Sequence, residues 1–441
     1  MQAALRDLEI EFAVNVVQQV ASFRESFTAA LKSESTFLPS SLHVFPDGTE
    51  QGEYLAIDLG GSNLRCAVVA LTGHAPPLIR SIRVWIIPSH HKVGPAPTLF
   101  DWIAQCIAQV ASQYDQGKLW RLGVTFSFPV QETSISSGLI MDMGKAYNLV
   151  FAGPEDRCIK ALLSAALVKS KVFAEIVLCV NDSNATLLSQ AYMDRSARMS
   201  LVLGTGCNAA MYMQTGLLES SGKKWQCLGQ KSKEAFVNCE LSLLGKDVLP
   251  YTKYDSIINA YDINRSFQPL EYATTGPWLG ELARVIILDL IQKYGFLDGI
   301  VPESFKMMFS LQTDTLWRME EASVSEHAAQ AIFNDRHPQH GKSWAIDEVD
   351  IVRQVSLIVT NRSAVLIATS LYSLKSLLKM QAGDQSLHVA CCGSIIENYP
   401  NYCKRVQTCL DSLQAKIRLF KSSNSGVLGA AIGAACISHQ S

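Results

Sequence analysis

Short apolar runs on either side of a glycine turn dominate the first part of the chain. Residues 54–58 and 65–71 form two such runs, each of strand length. The residues between them are small or polar and favour a tight turn: Gly60, Gly61, Ser62 and Asn63. Further strand-length runs follow at 81–87, 122–128 and 176–180. A helical pattern at 183–192 comes directly after the last of them. The pattern predicts a sheet that begins with a hairpin.

The same arrangement starts again near residue 200. Runs at 200–203 and 209–213 flank a second glycine turn, so we interpret the chain as a duplicated architecture. A later strand is predicted at 386–391, and helical patterns occupy 3–31, 101–114, 278–293, 351–380 and 426–437. The last of these is rich in alanine and glycine, which allows a neighbouring backbone to approach closely. Because no low-complexity linker divides the chain, we expect interleaved domains.

Composition narrows the class of protein. The 441 residues are 48% hydrophobic and 18% charged, as in a globular protein of about two or three domains. The net charge of −2 offers no basic field for nucleic acid or an anionic membrane. Twelve cysteines occur without a CxxC pattern, so we expect reduced thiols. The opening residues lack a secretory signal layout, and no run of about 18 apolar residues occurs. We therefore expect a cytoplasmic protein that binds neither nucleic acid nor membrane.

The first glycine turn carries residues that suit phosphate chemistry. The strand before it delivers Asp58 to the turn, where glycines leave backbone N–H groups open to phosphate oxygens. An aspartate there can hold Mg²⁺ through water, and Arg65 can neutralise phosphate charge. A plain hairpin turn is the alternative interpretation. The chain has no GxxxxGK[ST] string and no GxGxxG after a strand, so it carries neither a P-loop nor the common dinucleotide fingerprint.

Two further strings extend this chemistry. A second turn of phosphate-binding size lies in the later repeat: Gly204, Thr205 and Gly206. Two such turns on two halves of the chain predict a nucleotide held between them. Where a predicted strand meets a helix, Asp182 can accept a proton from a hydroxyl group and Asn181 can bind a neighbouring one. Alternatively, Asp182 or Ser183 simply caps the helix.

Together the strings resemble the eukaryotic hexokinases in order and spacing. They are the segments 58–65, 181–182 and 204–208 and the distinctive Thr-Phe-Ser-Phe-Pro-Val at 125–130. The resemblance runs from about residue 23 to the terminal helix. It implies an α/β protein with the actin-like ATPase (ribonuclease H-like) fold, in which two lobes with a duplicated β-sheet core enclose a deep cleft. It also implies a small lobe of residues 51–181 completed by 426–441, and a large lobe of 1–50 and 182–425.

The resemblance also implies a role for individual residues. The implied catalytic residues are Asp182, Lys145 and Arg65, with Asp182 taking the proton from the sugar 6-hydroxyl. The implied sugar-binding residues are Ser127, Lys145, Asn181, Asp182, Asn208, Glu240 and Glu271. The implied nucleotide-binding residues are Asp58, Gly60, Gly61, Ser62, Asn63, Gly204, Thr205, Gly206, Gly393 and Ser394. ATP and Mg²⁺ are the implied cofactors, with Asp58 holding the metal through water.

Four segments depart from the family's pattern, and one of them is the shuffled glycine-rich string at 424–429. Gly144 stands where the family has a threonine that contacts the sugar, Leu241 where it has a tryptophan, and Cys392 where it has an aspartate. Because two of these changes near the sugar reduce side-chain size, we predict room for a 2-acetamido group. N-acetyl-D-glucosamine is therefore favoured over glucose, with a glucose, fructose or mannose kinase as the alternative.

Other classes of protein fit fewer of the residues. The same departures allow a hexokinase-like sugar sensor that binds sugar without phosphorylating it. An actin-like ATPase or chaperone shares the implied fold, but it has no reason to keep Asn181 and Asp182 together with the string at 125–130. We expect sugar and ATP as the partners of the chain, and a monomer.

Overall fold

The computed structural model covers most of the chain and describes residues 1–114, 117–141, 143, 147–217, 233–261, 268–321, 325–339, 342–378 and 386–438. The strands are β1 (Leu38–Pro39), β2 (Gln51–Leu59), β3 (Asn63–Thr72), β4 (Leu78–Ile86), β5 (Val93–Pro95), β6 (Trp120–Phe126), β7 (Val130–Ser134), β8 (Ser137–Ile140), β9 (Asn148–Val150), β10 (Ala174–Val180), β11 (Ala197–Leu203), β12 (Cys207–Gln214), β13 (Glu234–Asn238), β14 (Leu387–Cys392) and β15 (Ile417–Lys421). The helices are α1 (Gln2–Glu11), α2 (Val16–Ala30), α3 (Ala96–Ala111), α4 (Ile159–Lys169), α5 (Asp182–Ala191), α6 (Lys253–Asn259), α7 (Pro269–Thr274), α8 (Gly276–Tyr294), α9 (Thr313–Glu320), α10 (Glu326–Arg336), α11 (Ile346–Leu377), α12 (Ser394–Asn398), α13 (Tyr402–Ser412) and α14 (Ser425–Ser438).

Two sheets carry most of the strands, and they share one topology. Their orders are β10-β6-β2-β3-β4 and β1-β13-β12-β11-β14-β15. Each contains an antiparallel hairpin, β2–β3 or β11–β12, that a third antiparallel strand extends. On the other side of each hairpin lie two parallel strands, β6 and β10 or β14 and β15. The predicted duplication is therefore confirmed at the level of strand order and direction, with short β1 as an addition to the second sheet.

The central strands are apolar because helices cover both faces of the first sheet. Six consecutive residues of β2, from Tyr54 to Leu59, are buried. Side chains of α3 and α4 pack on one face, and those of α5 and α14 pack on the other. A sheet covered on both sides favours continuous apolar runs rather than alternation. Because the strand interiors are buried in apolar surroundings, polar functional side chains are expected at the strand ends.

The backbone of helix α14 is in direct contact with the backbones of β6 and α5. A Cβ atom added at Gly123 of β6 would lie 2.1 Å from the carbonyl oxygen of Ala430. One added at Gly429 would lie 1.9 Å from the carbonyl oxygen of Ala185 on α5. Both distances are far below a normal van der Waals contact, so only glycine fits. The close backbone approach predicted for the terminal helix is confirmed, and it joins the first sheet to the helix that carries Asp182.

Helix α11 is the longest apolar helix within the described ranges. By length and composition alone it could cross a membrane, but 78% of its most apolar window is buried inside the protein. It packs against α2, α8 and α13 in the largest hydrophobic cluster. This burial is typical of a core helix.

The single helix predicted at 3–31 is wrong. The segment forms two helices, α1 and α2, that are separated by residues 12–15. Asn15 begins the second helix, and its side chain accepts a hydrogen bond from the backbone N–H of Gln18. An asparagine in this role satisfies an N–H group that has no partner in the first turn, so it favours a new helix start. Apolar periodicity did not reveal the break.

Candidate active site

Neighbouring strand ends bring four of the predicted site residues to one edge of the first sheet. Strands β2, β6 and β10 are parallel neighbours, so their carboxyl ends lie at one edge of the first sheet. Asp58 lies near the end of β2, and Ser127 directly follows β6. Asn181 and Asp182 directly follow β10. The charge of Asp182 raises the pKa of Asp58, and the Ser127 side chain hydrogen-bonds to Asp58, which is consistent with three adjacent groups.

Asp58 is a buried carboxylate beside a partly exposed cation. Its Oδ2 accepts a hydrogen bond from Nη1 of Arg65 at 3.0 Å, because the β2–β3 register places these two residues opposite each other. Burial is the main cause that raises the pKa of Asp58, and Asp182 adds to it, while Arg65 and Ser127 oppose it. A hard cation bound at this edge would favour the charged form. Carboxylate oxygen is a ligand that Mg²⁺ takes when nucleotide phosphates and water supply the other ligands.

The first glycine turn is held by its own backbone and by two side chains. The N–H of Gly60 donates to the carbonyl oxygen of Asn63 at 3.0 Å. Nζ of Lys92 donates to the carbonyl oxygen of Gly61 at 2.8 Å, and the hydroxyl of Tyr147 donates to that of Gly60 at 3.4 Å. Lys92 brings a cation to the predicted phosphate turn. Sequence reasoning missed it, since it lies in a loop outside every recognisable motif.

The second glycine turn contacts a later segment of the chain. The residues predicted to bind nucleotide here are Gly204, Thr205, Gly206, Gly393 and Ser394. The N–H of Gly204 donates to the carbonyl oxygen of Gly206 at 3.0 Å. A Cβ added at Gly204 would lie 3.0 Å from the backbone nitrogen of Ser394. Gly393 has a φ of +116°, which favours glycine. The structure therefore brings residues 204–206 and 393–394 into contact, and together they form one wall of the predicted nucleotide site.

Asn208 is the hub of a half-buried polar chain. Its Nδ2 lies 3.3 Å from Oδ1 of Asn181 and 2.9 Å from Oδ1 of Asn238. Its Oδ1 accepts the backbone N–H of Leu241 at 3.2 Å. The Nδ2 of Asn238 in turn donates to Oε1 of Glu240 at 2.7 Å. Amides that are fixed in this way present donors and acceptors at defined positions, as recognition of a polyol requires. Asn238 was not predicted, because nothing in its local sequence marks it.

The two predicted glutamates border the same strand, β12. Glu240 has a left-handed backbone conformation, with φ 49° and ψ 51°. A non-glycine residue held there is uncommon, and such conformations cluster at functional sites. Oε2 of Glu271, in the first turn of α7, lies 3.4 Å from the backbone nitrogen of Cys207. Both carboxylates are half-buried and can accept charge-assisted hydrogen bonds from hydroxyl groups.

The cap of helix α5 is Asn181. Its Oδ1 accepts the backbone N–H of Ser183 at 2.9 Å and the Ser183 hydroxyl at 2.7 Å. The sequence offers Asp182 and Ser183 as capping candidates, and the structure assigns that role to neither. Asp182 is the first helical residue, where the helix dipole favours a negative charge. Lys145 and Gly144 lie outside the described residues, so the structure does not place them.

Replacing the hub amide tests this arrangement. Asn208→Ala removes two donors and leaves Asn238 and the Leu241 N–H with fewer partners. We expect the KM for the sugar to rise about tenfold or more, with the KM for ATP within about twofold. Initial-rate kinetics at saturating cosubstrate measure both values. Asn361→Ala, at an exposed position of α11, is the control. An unchanged sugar KM in Asn208→Ala would remove Asn208 from the sugar site.

Comparison with known proteins adds an independent line of support. Two family models, both described as hexokinase, match residues 4–192 and 198–436. A hexokinase of Schwanniomyces occidentalis is 31% identical over 375 residues, which are 83% of this chain and 76% of the relative. Hexokinase-1 of Nicotiana tabacum is 30% identical over 411 residues, 88% of this chain and 80% of the relative.

A solved structure agrees over the whole chain. Hexokinase from Schistosoma mansoni complexed with glucose superposes with a TM-score of 0.85 at 27% sequence identity. The superposition covers 98% of this chain and 99% of that one. At this coverage the superposition includes the residues of both sheets.

Proposed function

The chain belongs to the hexokinase family, and on that premise we propose that its site transfers the terminal phosphoryl group of ATP to the 6-hydroxyl of glucose. The fold is the actin-like ATPase fold, a mixed α/β architecture of two domains. As a member of the family the chain is an ATP-dependent hexose kinase, a phosphotransferase with an alcohol group as acceptor. The residue roles and the identity of the sugar are the proposal.

One observation carries the assignment of roles. Asp182 lies at the same sheet edge as Asp58 and the first glycine turn, close enough for its charge to raise the pKa of Asp58. A base for the acceptor hydroxyl and a turn for the donor phosphates are thereby adjacent. Both are needed on the two sides of a transferring phosphoryl group.

The proposed reaction depends on positioning and charge. Asp182 takes the proton of the 6-hydroxyl as the bond to phosphorus forms, so it needs to be correctly placed more than strongly basic. Arg65, Lys92 and the backbone N–H groups of the two turns meet the charge of the phosphates. Asp58 is the residue that would hold Mg²⁺, and the metal would supply further neutralisation of phosphate charge. The polar chain around Asn208, with Glu240 and Glu271, orients the sugar.

Water must be kept from the acceptor position, since it fits there as well as a hydroxymethyl group. We propose that a small lobe of residues 51–181 with 426–441 closes on a large lobe of 1–50 and 182–425 when the sugar binds. Packing of α14 on strands β2 and β6 supports its place in the small lobe, and α14 also contacts α5 of the large lobe. A cytoplasmic location and a monomeric state stay predictions from the sequence.

Glucose is proposed as the sugar because the structure weakens one of the two arguments for N-acetyl-D-glucosamine. The side chain of Leu241 is fully buried in the core of the second sheet, so the smaller residue there does not widen an open pocket. Gly144, the other small residue, lies outside the described ranges. The solved relative that spans the chain is complexed with glucose. The preference for N-acetyl-D-glucosamine stays an untested prediction.

A panel of sugars tests the proposal. We expect glucose to give the highest kcat/KM among glucose, fructose, mannose and N-acetyl-D-glucosamine when ADP release is followed at saturating ATP and Mg²⁺. A higher value for the acetylated sugar would reverse the assignment of substrate. Sugar binding by thermal shift without turnover of any hexose would instead support the sensor.

A further inference from the structure

One carboxylate on the nucleotide side of the site has no role in the proposed reaction. Glu397 lies on α12, and its Oε1 accepts the backbone N–H of Gly393 at 2.7 Å. Its Oε2 accepts the hydroxyl of Ser423 at 3.2 Å. Nζ of Lys421 approaches Glu397 as well, but it donates to the main-chain carbonyl oxygen at 2.5 Å. These hydrogen bonds fix the carboxylate over the Gly393 amide.

This carboxylate and Asp58 both lie near the same thiol group. The thiol of Cys392 lies close to both: burial raises its pKa to about 12, and the charges of Glu397 and Asp58 contribute to the shift. Gly393 also touches the second glycine turn, since a Cβ added at Gly204 would lie 3.4 Å from the Cα of Gly393. The amide that Glu397 occupies therefore belongs to the wall that the two glycine segments form.

We propose that Glu397 is a specificity-determining residue that weakens the binding of nucleoside triphosphates at this wall. The inference rests on the proposed role of Gly204 and Gly393 in nucleotide binding. Glu397 acts in two ways. It occupies a backbone donor that a phosphate oxygen would otherwise use, and it places a negative charge beside a polyanion. The chain thereby requires a higher ATP concentration than the same site with a neutral residue.

Two substitutions separate the two effects. Glu397→Gln keeps an oxygen acceptor for the Gly393 N–H and removes the charge, whereas Glu397→Ala also frees the amide. We expect the Kd of a non-hydrolysable ATP analogue with Mg²⁺ to fall about tenfold in Glu397→Gln and further in Glu397→Ala. Isothermal titration calorimetry measures it. The kcat/KM for ATP should rise by a similar factor, with the KM for the sugar unchanged.

A charge effect predicts a pattern that a structural role would not produce. Adenosine has no charge, so its Kd should be equal in wild type and Glu397→Gln. The gain for the ATP analogue should shrink between about 50 mM and about 500 mM KCl because salt screens the repulsion. Glu9→Gln removes the same charge from an exposed position on α1 and should change neither ligand.

Every other pattern overturns the inference. Equal or weaker binding of the ATP analogue in Glu397→Gln would do so, as would a gain of the same size for adenosine or no detectable binding in either protein. Failure of the proposed function is recognised separately, because binding of the analogue does not depend on turnover. Tighter binding in Glu397→Gln with no phosphorylation of glucose would contradict the kinase assignment and leave the role of Glu397 standing.

Discussion

Asp182→Asn is expected to lower kcat for sugar phosphorylation by about a thousandfold, with the KM for the sugar within about threefold of wild type. The amide has almost the same shape as the carboxylate, so hydrogen bonding to the sugar is largely kept. It cannot take up the proton that the 6-hydroxyl must lose. Coupled ADP assays at saturating ATP and Mg²⁺ measure kcat, and thermal shift with sugar checks that the site still binds.

A matched control separates this effect from a general loss of helix stability. Asp347→Asn removes an exposed carboxylate from the first turn of α11, where it also lies near the N-terminal end of a helix dipole. Its kcat should equal that of wild type. A turnover of Asp182→Asn within about tenfold of wild type would show that another group accepts the proton.

Gly429→Ala is expected to lower the free energy of unfolding by about 3 kcal/mol or more. The added Cβ would meet the backbone carbonyl of Ala185 at 1.9 Å, and two packed backbones cannot move apart without opening the core between α14 and α5. Urea unfolding followed by circular dichroism gives the change, and a failure to yield folded protein would be its extreme form.

Gly216→Ala is the matched control, because nothing lies within 4 Å of the position its Cβ would take. It should shift the free energy of unfolding by less than about 1 kcal/mol. If Gly429→Ala were as stable as Gly216→Ala, α14 would not pack as closely as described, and the link between the first sheet and α5 would be lost with it.

Sequence reasoning identified the parts of the fold that depend on local pattern. The runs around Gly60 and Gly204 have strand length and flank residues that favour tight turns, and this was enough to identify both hairpins and their repetition. The small residues of the last helix predicted its close packing because only glycine tolerates such contact. The break near Asn15 was missed, since a cap inside a continuous apolar pattern gives a weak signal.

Sequence reasoning identified only part of the candidate site. Asp58 and Asp182 stand next to recognisable turns and strand ends, so their chemistry could be inferred from sequence. Glu240 and Glu271 were found through family resemblance alone. Lys92 and Glu397 escaped both routes, because their contacts with the glycine segments arise when distant parts of the chain fold together. Such groups are identified only when the folded structure shows which residues they contact.

The most direct test of the central claim is the position of the transferred phosphate. Phosphorus NMR of a reaction with ATP, Mg²⁺ and glucose should show a phosphomonoester coupled to the methylene protons at C6, formed in the same amount as ADP. The same reaction with 6-deoxyglucose should give no ester. ADP released with inorganic phosphate alone, or an ester on any other carbon, would contradict the assignment of Asp182 to the proton of the 6-hydroxyl.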